Sequence, residues 1–462
     1  MALASLSFTA RQASGDAIDT WTPEKDPDKV IVRVVPGVDL AQGHVPVFEG
    51  IEALVPGVAA LNQVLSHWHI QGVRPAVSPQ NRALGSRLGL DRYFVIDCPQ
   101  ASIARPLAEE LRALVGIVEV AEVDEPMDAL ASRGEDDDRT LSFEIPDDPG
   151  FALQWSLENT GQTIRGLTGT NDADIDATEA WAITLGSESV VVAVLDAGIS
   201  LSHPELQGQL VEGQNFTSTD PFDVDDSWVS HGTHIAGIIA ARWGNDEGIA
   251  GLAPQCRVMP VRVVNRFGWT FAEWVSEGII WATDHGASVM NISLGFPTSS
   301  SLLHDAIRYA FESDVVICAS TGNIATNPIG FPAAYPETIA VGATDNNDEL
   351  ASFTSTGPEL TLCAPGRDIY SLWDTNSMPD TYDFKSGTSF AAPHVAGVAA
   401  LVRSINPTLS APDVRRVLAV TCDDIGLPGR DPITGGAGST RRRRSTWLLL
   451  SPGRAPTRAR PT

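Results

Sequence analysis

Residues 190–195 read VVVAVL and residues 315–319 read VVICA, two apolar, β-branched runs with no polar residue inside them. A strand with one wet face alternates apolar and polar side chains. A run without alternation needs cover on both faces, which a parallel sheet between two layers of helices supplies. Each run delivers a polar side chain at its carboxyl end, Asp196 directly and Asn323 after a break at Gly322. In open α/β sheets the working edge lies outside those strand ends. Two segments of small and aliphatic residues at helical spacing, HGTHIAGIIAA from His231 and SFAAPHVAGVAALV from Ser389, are candidate covering helices.

The polar residues at these element ends fall in three islands: VAVLDAGI (192–199) around Asp196, HGTHIAG (231–237) around His231 and SGTSFAAPHVAG (386–397) around Ser389. A carboxylate, an imidazole and a hydroxyl can work together from remote positions, because nucleophilic hydrolysis depends on geometry and not on adjacency. A serine opening a helix has unpaired amides and the positive end of a dipole beside it, where an oxyanion would develop. Pro393 is expected in the first turn of that helix, where its missing amide hydrogen costs little. Gly232 is expected to let a substrate backbone come close.

Taken singly, each residue has a plainer reading. An apolar strand ending in Asp is common in any α/β protein, and a Ser after Gly-Thr is a weaker signal still. His234 lies three positions after His231, but HGTH lacks the Glu and the spacing of an HExxH metal site, so His234 and His394 read as packed helix residues. Ala391, two positions after Ser389, breaks the G-x-S-x-G elbow of α/β-hydrolases.

In the order Asp196, His231, Ser389, the islands resemble those of the subtilisin-like serine proteases, the subtilases, over roughly residues 150–437. The resemblance implies a subtilisin-like three-layer α/β domain with a mostly parallel central sheet. It also implies a serine endopeptidase that hydrolyses peptide bonds in polypeptides through an acyl-enzyme. Ser389 is then the nucleophile, His231 the general base, Asp196 its orienting acid, and the Asn323 side chain completes the oxyanion hole with the Ser389 amide. MNISLGF (290–296) resembles the family's strand that pairs with the substrate backbone, through Ser293, Leu294 and Gly295. Phe296, Gly322, Ile324 and Gly330 would edge the pocket. None of these is charged, so an apolar or aromatic side chain is expected before the scissile bond.

Some details separate this chain from its neighbours. Sedolisins share a similar serine island but use Glu and Asp instead of His. The residue after the catalytic Asp is usually Ser or Thr in subtilases and is Ala197 here, with a modest effect expected on the carboxylate's orientation. No cofactor is needed for catalysis. Glu205 and the loop RWGNDEGIAG (242–251) occupy places where many subtilases bind a structural calcium ion, and the competing reading is an acidic surface loop. A function of another class is a catalytically silent, peptide-binding relative, which the joint presence of Asp196, His231, Asn323 and Ser389 argues against.

Upstream, strand and helix patterns alternate. VIVRVVPG (30–37), RYFVIDCP (92–99) and IVEVAEVDEP (117–126) read as strands, and residues 51–68 and 102–116 read as helices. Residues 23–126 then form a small α+β sandwich preceding the catalytic domain. It resembles a subtilase propeptide, which in the family is a folding chaperone and temporary inhibitor; the plain alternative is an accessory domain. Residues 1–22 read as a disordered start and the acidic stretch 127–150 as a linker with the processing site. The catalytic domain is expected over 151–440 and a disordered Arg/Pro-rich tail over 441–462.

Composition narrows the partners. A net charge of −27 disfavours nucleic acid and anionic membranes, and no apolar stretch reaches a membrane span. Five scattered cysteines, without a CxxC, indicate neither a disulfide framework nor a zinc site. Cys318 and Cys363 read as small buried hydrophobes. The expected partners are a polypeptide substrate and the chain's own propeptide, with the protein a monomer. A propeptide accompanies secretion, although the first residues carry no signal-peptide core; a cytoplasmic enzyme is the alternative.

Overall fold

The computed structural model describes residues 29–34, 58–70, 72–114, 118–124, 127–128, 146–217, 224–225, 229–375, 378–423 and 425. Residues 1–22 and 441–462, and most of the 127–150 stretch, lie outside them.

Seven strands form the main sheet, in the spatial order Leu362–Pro365, Ile339–Thr344, Val316–Ser320, Val289–Ile292, Val191–Asp196, Arg257–Arg262 and Gln214–Asn215. Every neighbouring pair is parallel. The unbroken apolar run has a direct explanation in this sheet. Val192 and Val194 face the helices His231–Ala240 and Thr388–Ile405 in one core, whereas Ala193 and Leu195 face the helices Ala272–Asp284 and Ser301–Glu312 in another. The expected three-layer α/β domain is what these residues build.

The N-terminal segment is a four-stranded antiparallel sheet in the order Gly72–Pro75, Tyr93–Asp97, Lys29–Val34, Val118–Val123, with helices Val58–His67 and Ala104–Arg112 beside it. Val30, Val32 and Val34 bury against those two helices. Ile31, Tyr93 and Val95, on the opposite face, join the core that holds Trp274 and Ile307 of the catalytic domain. Both faces are therefore dry, one against the segment's own helices and one against the larger domain.

Polar contacts fix this docking. Glu122 accepts from Ser301 N at 3.1 Å and Ser300 Oγ at 2.8 Å, and Asp124 accepts from Ala272 N at 3.0 Å. Each carboxylate sits at the amino end of a catalytic-domain helix, satisfying orphan amides and meeting the positive end of the dipole. Lys29 pairs with Glu273 at 3.1 Å, Arg74 also pairs with Glu273, and Arg33 pairs with Asp305 at 2.8 Å.

The fold departs from the sequence expectations in the linker and in the serine helix. Met127 and Asp128, assigned to the linker, form a strand antiparallel to Trp269–Thr270. Residues 146–150, also assigned to the linker, pack on the catalytic body: Asp148 is buried and accepts from Gly244 N at 2.9 Å, and Gly150 N donates to Gly248 O at 2.6 Å. Pro393 is not in the first turn of its helix, which begins at Thr388, but in the second. There it removes a hydrogen bond that an interior residue would make.

Candidate active site

Asp196 closes the interior strand Val191–Asp196 and is fully buried, with its Oδ1 accepting from Ala197 N at 2.8 Å. A main-chain amide thus supplies the donor that a hydroxyl at position 197 would otherwise offer. His231 is the first residue of its helix, and its Nδ1 lies 2.9 Å from Asp196 Oδ1 and 2.9 Å from Oδ2. That contact directs Nε2 away from the carboxylate.

Gly232 explains how the two segments come so close. A Cβ there would stand 2.1 Å from Gly198 O and 3.0 Å from Asp196 Cβ, so the glycine admits the protein's own loop and not, as the sequence suggested, a substrate backbone. The preceding Ser230 has φ 59°, and its hydroxyl accepts from Asp374 N at 2.6 Å. Ser200 Oγ in turn donates to Asp374, while Ser200 N donates to Thr233 Oγ1 at 2.8 Å. Ser200, Ser230 and Asp374 lace the Asp196 loop, the His231 helix and the hairpin Ile369–Thr375/Met378–Lys385 together.

Ser389 is the second residue of its helix and 8% exposed. The ring of its neighbour Phe390 lies 5.2 Å from the His231 ring. Ser389 Oγ donates to Ser293 O at 3.2 Å. Among the described residues no hydrogen bond joins that hydroxyl to His231; such bonds are commonly long before substrate arrives.

Asn323 follows Gly322, whose φ of 114° turns the chain at the end of strand Val316–Ser320. Its Oδ1 accepts from Thr388 N at 2.8 Å and Thr388 Oγ1 at 3.0 Å, and Gly322 N donates to Thr388 Oγ1 at 3.1 Å. With the carbonyl end of the amide committed, Nδ2 is the end presented toward Gly387, where an added Cβ would lie 3.1 Å away. Four residues from four separate segments therefore converge.

The expected pocket residues divide. Ile324 is 58% exposed and Gly295, Gly322 and Gly330 are partly exposed, whereas Leu294 is buried. Phe296 does not reach the cleft surface: its ring lies in the core, and its N and O bridge Phe331 at 2.6 and 2.8 Å. His234 and His394 are buried as expected. His234 Nε2 lies 3.1 Å from both Ile369 O and Asp383 O, and burial holds its pKa well below the usual histidine range; burial pushes His394 down to about 4. Neither competes as a base. Sequence reasoning passed over Asn291, Thr388, Ser230, Ser200 and Asp374. Thr388 and Asn291 stood inside quoted islands and could have been found; Ser230, Ser200 and Asp374 carry no local signal.

A second buried carboxylate stands at Glu205. Neither of its oxygens accepts a well-formed hydrogen bond. Burial, then Asp148 and Glu247, push its pKa up to about 8, with Arg242 and Asn245 offsetting this in part. Gly248 makes room for it, since a Cβ there would lie 2.4 Å from Glu205 Oε1. The Asn245 side-chain amide donates to Glu247 O at 3.1 Å and to Asp148 Oδ1 at 2.6 Å. Among the described residues no group of three His, Cys, Asp or Glu side chains forms a metal site, so any cation here needs amide or carbonyl oxygens as well.

A carboxylate-held imidazole, a serine opening a helix and an amide fixed beside it, all at the carboxyl edge of a parallel sheet, define a serine peptidase. Residues 187–438 match the model of the subtilase family. The chain belongs to that family and is a serine endopeptidase. It is 42% identical over 242 residues to subtilisin DY of Bacillus licheniformis, covering 52% of this chain and 85% of that one. It is 40% identical over 258 residues to thermitase of Thermoactinomyces vulgaris, covering 55% of this chain and 88% of thermitase. With the thermophilic serine proteinase of Bacillus sp. strain AK1 it shares 40% over 252 residues, 60% of that protein's length. Among solved structures, a protease from Pseudoalteromonas arctica PAMC 21717 superposes with a TM-score of 0.57 at 26% identity, covering 66% of this chain and 99% of that one. Nothing in these comparisons supports the catalytically silent alternative.

Proposed function

We propose that Ser389, His231, Asp196 and Asn323 carry the reaction. The observation behind this reading is the Nδ1 contact of 2.9 Å from His231 to both Asp196 oxygens, which fixes the tautomer with Nε2 as the base. Ser389 Oγ attacks the peptide carbonyl and its proton passes to His231 Nε2. The tetrahedral oxyanion is met by Ser389 N–H and Asn323 Nδ2–H. His231 returns the proton to the departing amine, leaving an ester on Ser389 that water cleaves by the reverse proton path. A fluorophosphonate probe tests the assignment: labelling lost in Ser389→Ala supports it, and labelling that survives in Ser389→Ala sinks it.

The substrate lies extended along Ser293–Gly295 and binds through its main chain. The accessible edge of Ile324, Gly330 and Gly322 favours an apolar side chain before the cut, and a peptide library with a dominant basic preference there would reverse this. The N-terminal domain acts as the intramolecular inhibitor. Its support is the strand Met127–Asp128, which runs antiparallel to Trp269–Thr270 as an added strand, reaching from the docked domain toward the catalytic body.

Calcium is the cation that fits the Glu205 corner, because the unpartnered buried Glu205 carboxylate, with the Asp148 and Glu247 carboxylates beside it, offers hard oxygen donors. Bound there, calcium would neutralise the corner and stabilise the fold, with no part in the chemical steps. Among the described residues no helix is long and apolar enough to cross a membrane. Secretion and a monomeric state complete the proposal.

A further inference from the structure

Substrate pairing gives Ser293 a backbone role, yet its side chain is also fully buried and bonded to the main chain of the nucleophile. The cause lies four residues beyond Ser389. In an α-helix the carbonyl of one residue takes the N–H of the residue four ahead. For Ser389 that residue is Pro393, which has no N–H to give. The Ser389 carbonyl is thus left out of the helix ladder in a packed environment, with Phe390, Ala391 and Ala392 at 0% exposure. A buried carbonyl must find another donor.

Ser293 Oγ is that donor, at 2.7 Å from Ser389 O. Asn291 Nδ2, on the strand Val289–Ile292, donates to Ser293 Oγ at 2.8 Å, and Asn291 is also fully buried. A hydroxyl has one proton. Because Ser293 Oγ accepts from Asn291, its own proton is directed to Ser389 O. The relay has one sense, Asn291 to Ser293 to Ser389. Ser389 Oγ then donates back to Ser293 O at 3.2 Å, so strand end and helix start are joined twice.

We propose that the side chains of Asn291 and Ser293 are positioning residues for the nucleophile, made necessary by Pro393. The proposal rests on Ser389 being the nucleophile. Without the Ser293 hydroxyl, the first helical turn must rearrange to satisfy the Ser389 carbonyl, and that shifts Ser389 relative to His231. Small displacements of a reacting group are enough to lower turnover.

The experiment is a double-mutant cycle on the enzyme made as the full chain and processed to release its N-terminal domain, with kcat expressed per active site titrated by fluorophosphonate. Ser293→Ala, which keeps the backbone, lowers kcat about tenfold while KM stays within about twofold. Pro393→Ala restores an N–H opposite Ser389 O, so in that background Ser293→Ala costs about threefold or less. Asn291→Ala shows a smaller loss with the same attenuation, and it carries the cycle if Ser293→Ala does not fold. A purely structural role lowers the melting temperature with kcat per titrated site unchanged, or gives equal losses in both backgrounds; either result overturns the relay. If the unmutated enzyme, once its N-terminal domain is released, takes no label, the reading of the site falls, whereas labelling with additive losses overturns the relay alone.

Discussion

Asp196 and Glu205 are both buried carboxylates at 0% exposure, nine positions apart on the same stretch of chain. Asp196 accepts from the Ala197 amide and from the His231 ring, and is complete within the protein. Glu205 has neighbours of its own sign in Asp148 and Glu247, and no well-formed hydrogen bond. Equal burial has produced a hydrogen-bonded carboxyl group in one place and an unpartnered one in the other. A buried charge is tolerated where donors are built around it and is otherwise neutralised, by a proton or by a metal. The first carboxylate is thus held by donors the fold supplies, whereas the second leaves the fold responsive to its solution.

The comparison breaks most sharply at Asp196. Asp196→Asn keeps the shape but can hold His231 in the wrong tautomer, and kcat should fall about ten-thousandfold with little change in the melting temperature. Active-site-titrated kinetics check this, and a loss below about tenfold would mean that the carboxylate does not orient the base. Next in size is the oxyanion donor. Asn323→Ala should lower kcat about a hundred- to a thousandfold, the range found for the corresponding donor in subtilisin, with KM nearly constant.

Glu205 gives a smaller effect, read in stability. Its folded pKa of about 8 lies above the usual unfolded value near 4.3. Between those values the folded state holds the proton that the unfolded state has lost, so stability falls as pH rises across that window and is flat on either side. Asp174 and Asp176, pushed up to about 7 mainly by burial, and Asp348, pushed up to about 6, add to the fall over its lower part. Calorimetry of the Ser389→Ala chain in chelator should show the melting temperature dropping from pH 5 to 8. Calcium should raise it by several degrees at pH 8 and flatten the slope. Glu205→Gln should remove most of the calcium response; a response of full size in that variant would place the cation elsewhere.

The sequence revealed the satisfied site better than the unsatisfied one, for a physical reason. A parallel strand buried on both faces must be apolar throughout, so 190–195 betrayed its layer, and Asp196 could be read as its end. A helix start needs small residues where backbones touch, so Gly232 marked the contact, although the partner was the protein's own Gly198 loop. Ser200 and Asp374 were not legible, because each acts through a hydrogen bond to a distant segment and leaves no periodicity, whereas Asn291 bonds Ser293 two residues on and stood inside MNISLGF. Pro393 misled by one turn, since its cost is offset by Ser293, a residue 100 positions earlier in the chain. The strand at Met127–Asp128 was hidden for a similar reason: two residues in an acidic stretch have no pattern, and their pairing comes from the docked partner strand.

Asp124 tests whether the lesson extends to the interface between the two domains. It lies between the two cases, with one oxygen bonded to Ala272 N at 3.0 Å and the other without a partner. Burial, reinforced by Glu273 and opposed by Lys29, pushes its pKa up to about 8, and Glu277 beside it reaches about 7 through burial and Glu273. Undocking exposes Asp124 to water and returns its pKa toward the ordinary range, so docking weakens as pH rises from that range through about 8. Asp124→Asn keeps an acceptor for the helix amide and removes the charge, and it should flatten this dependence while costing no more than about 1 kcal/mol at pH 5. Inhibition of the catalytic domain by the separately added N-terminal domain, compared at pH 5 and 8, measures it. A pH dependence of the same size in Asp124→Asn would shift the role to Glu277 and the ion pairs of Glu273.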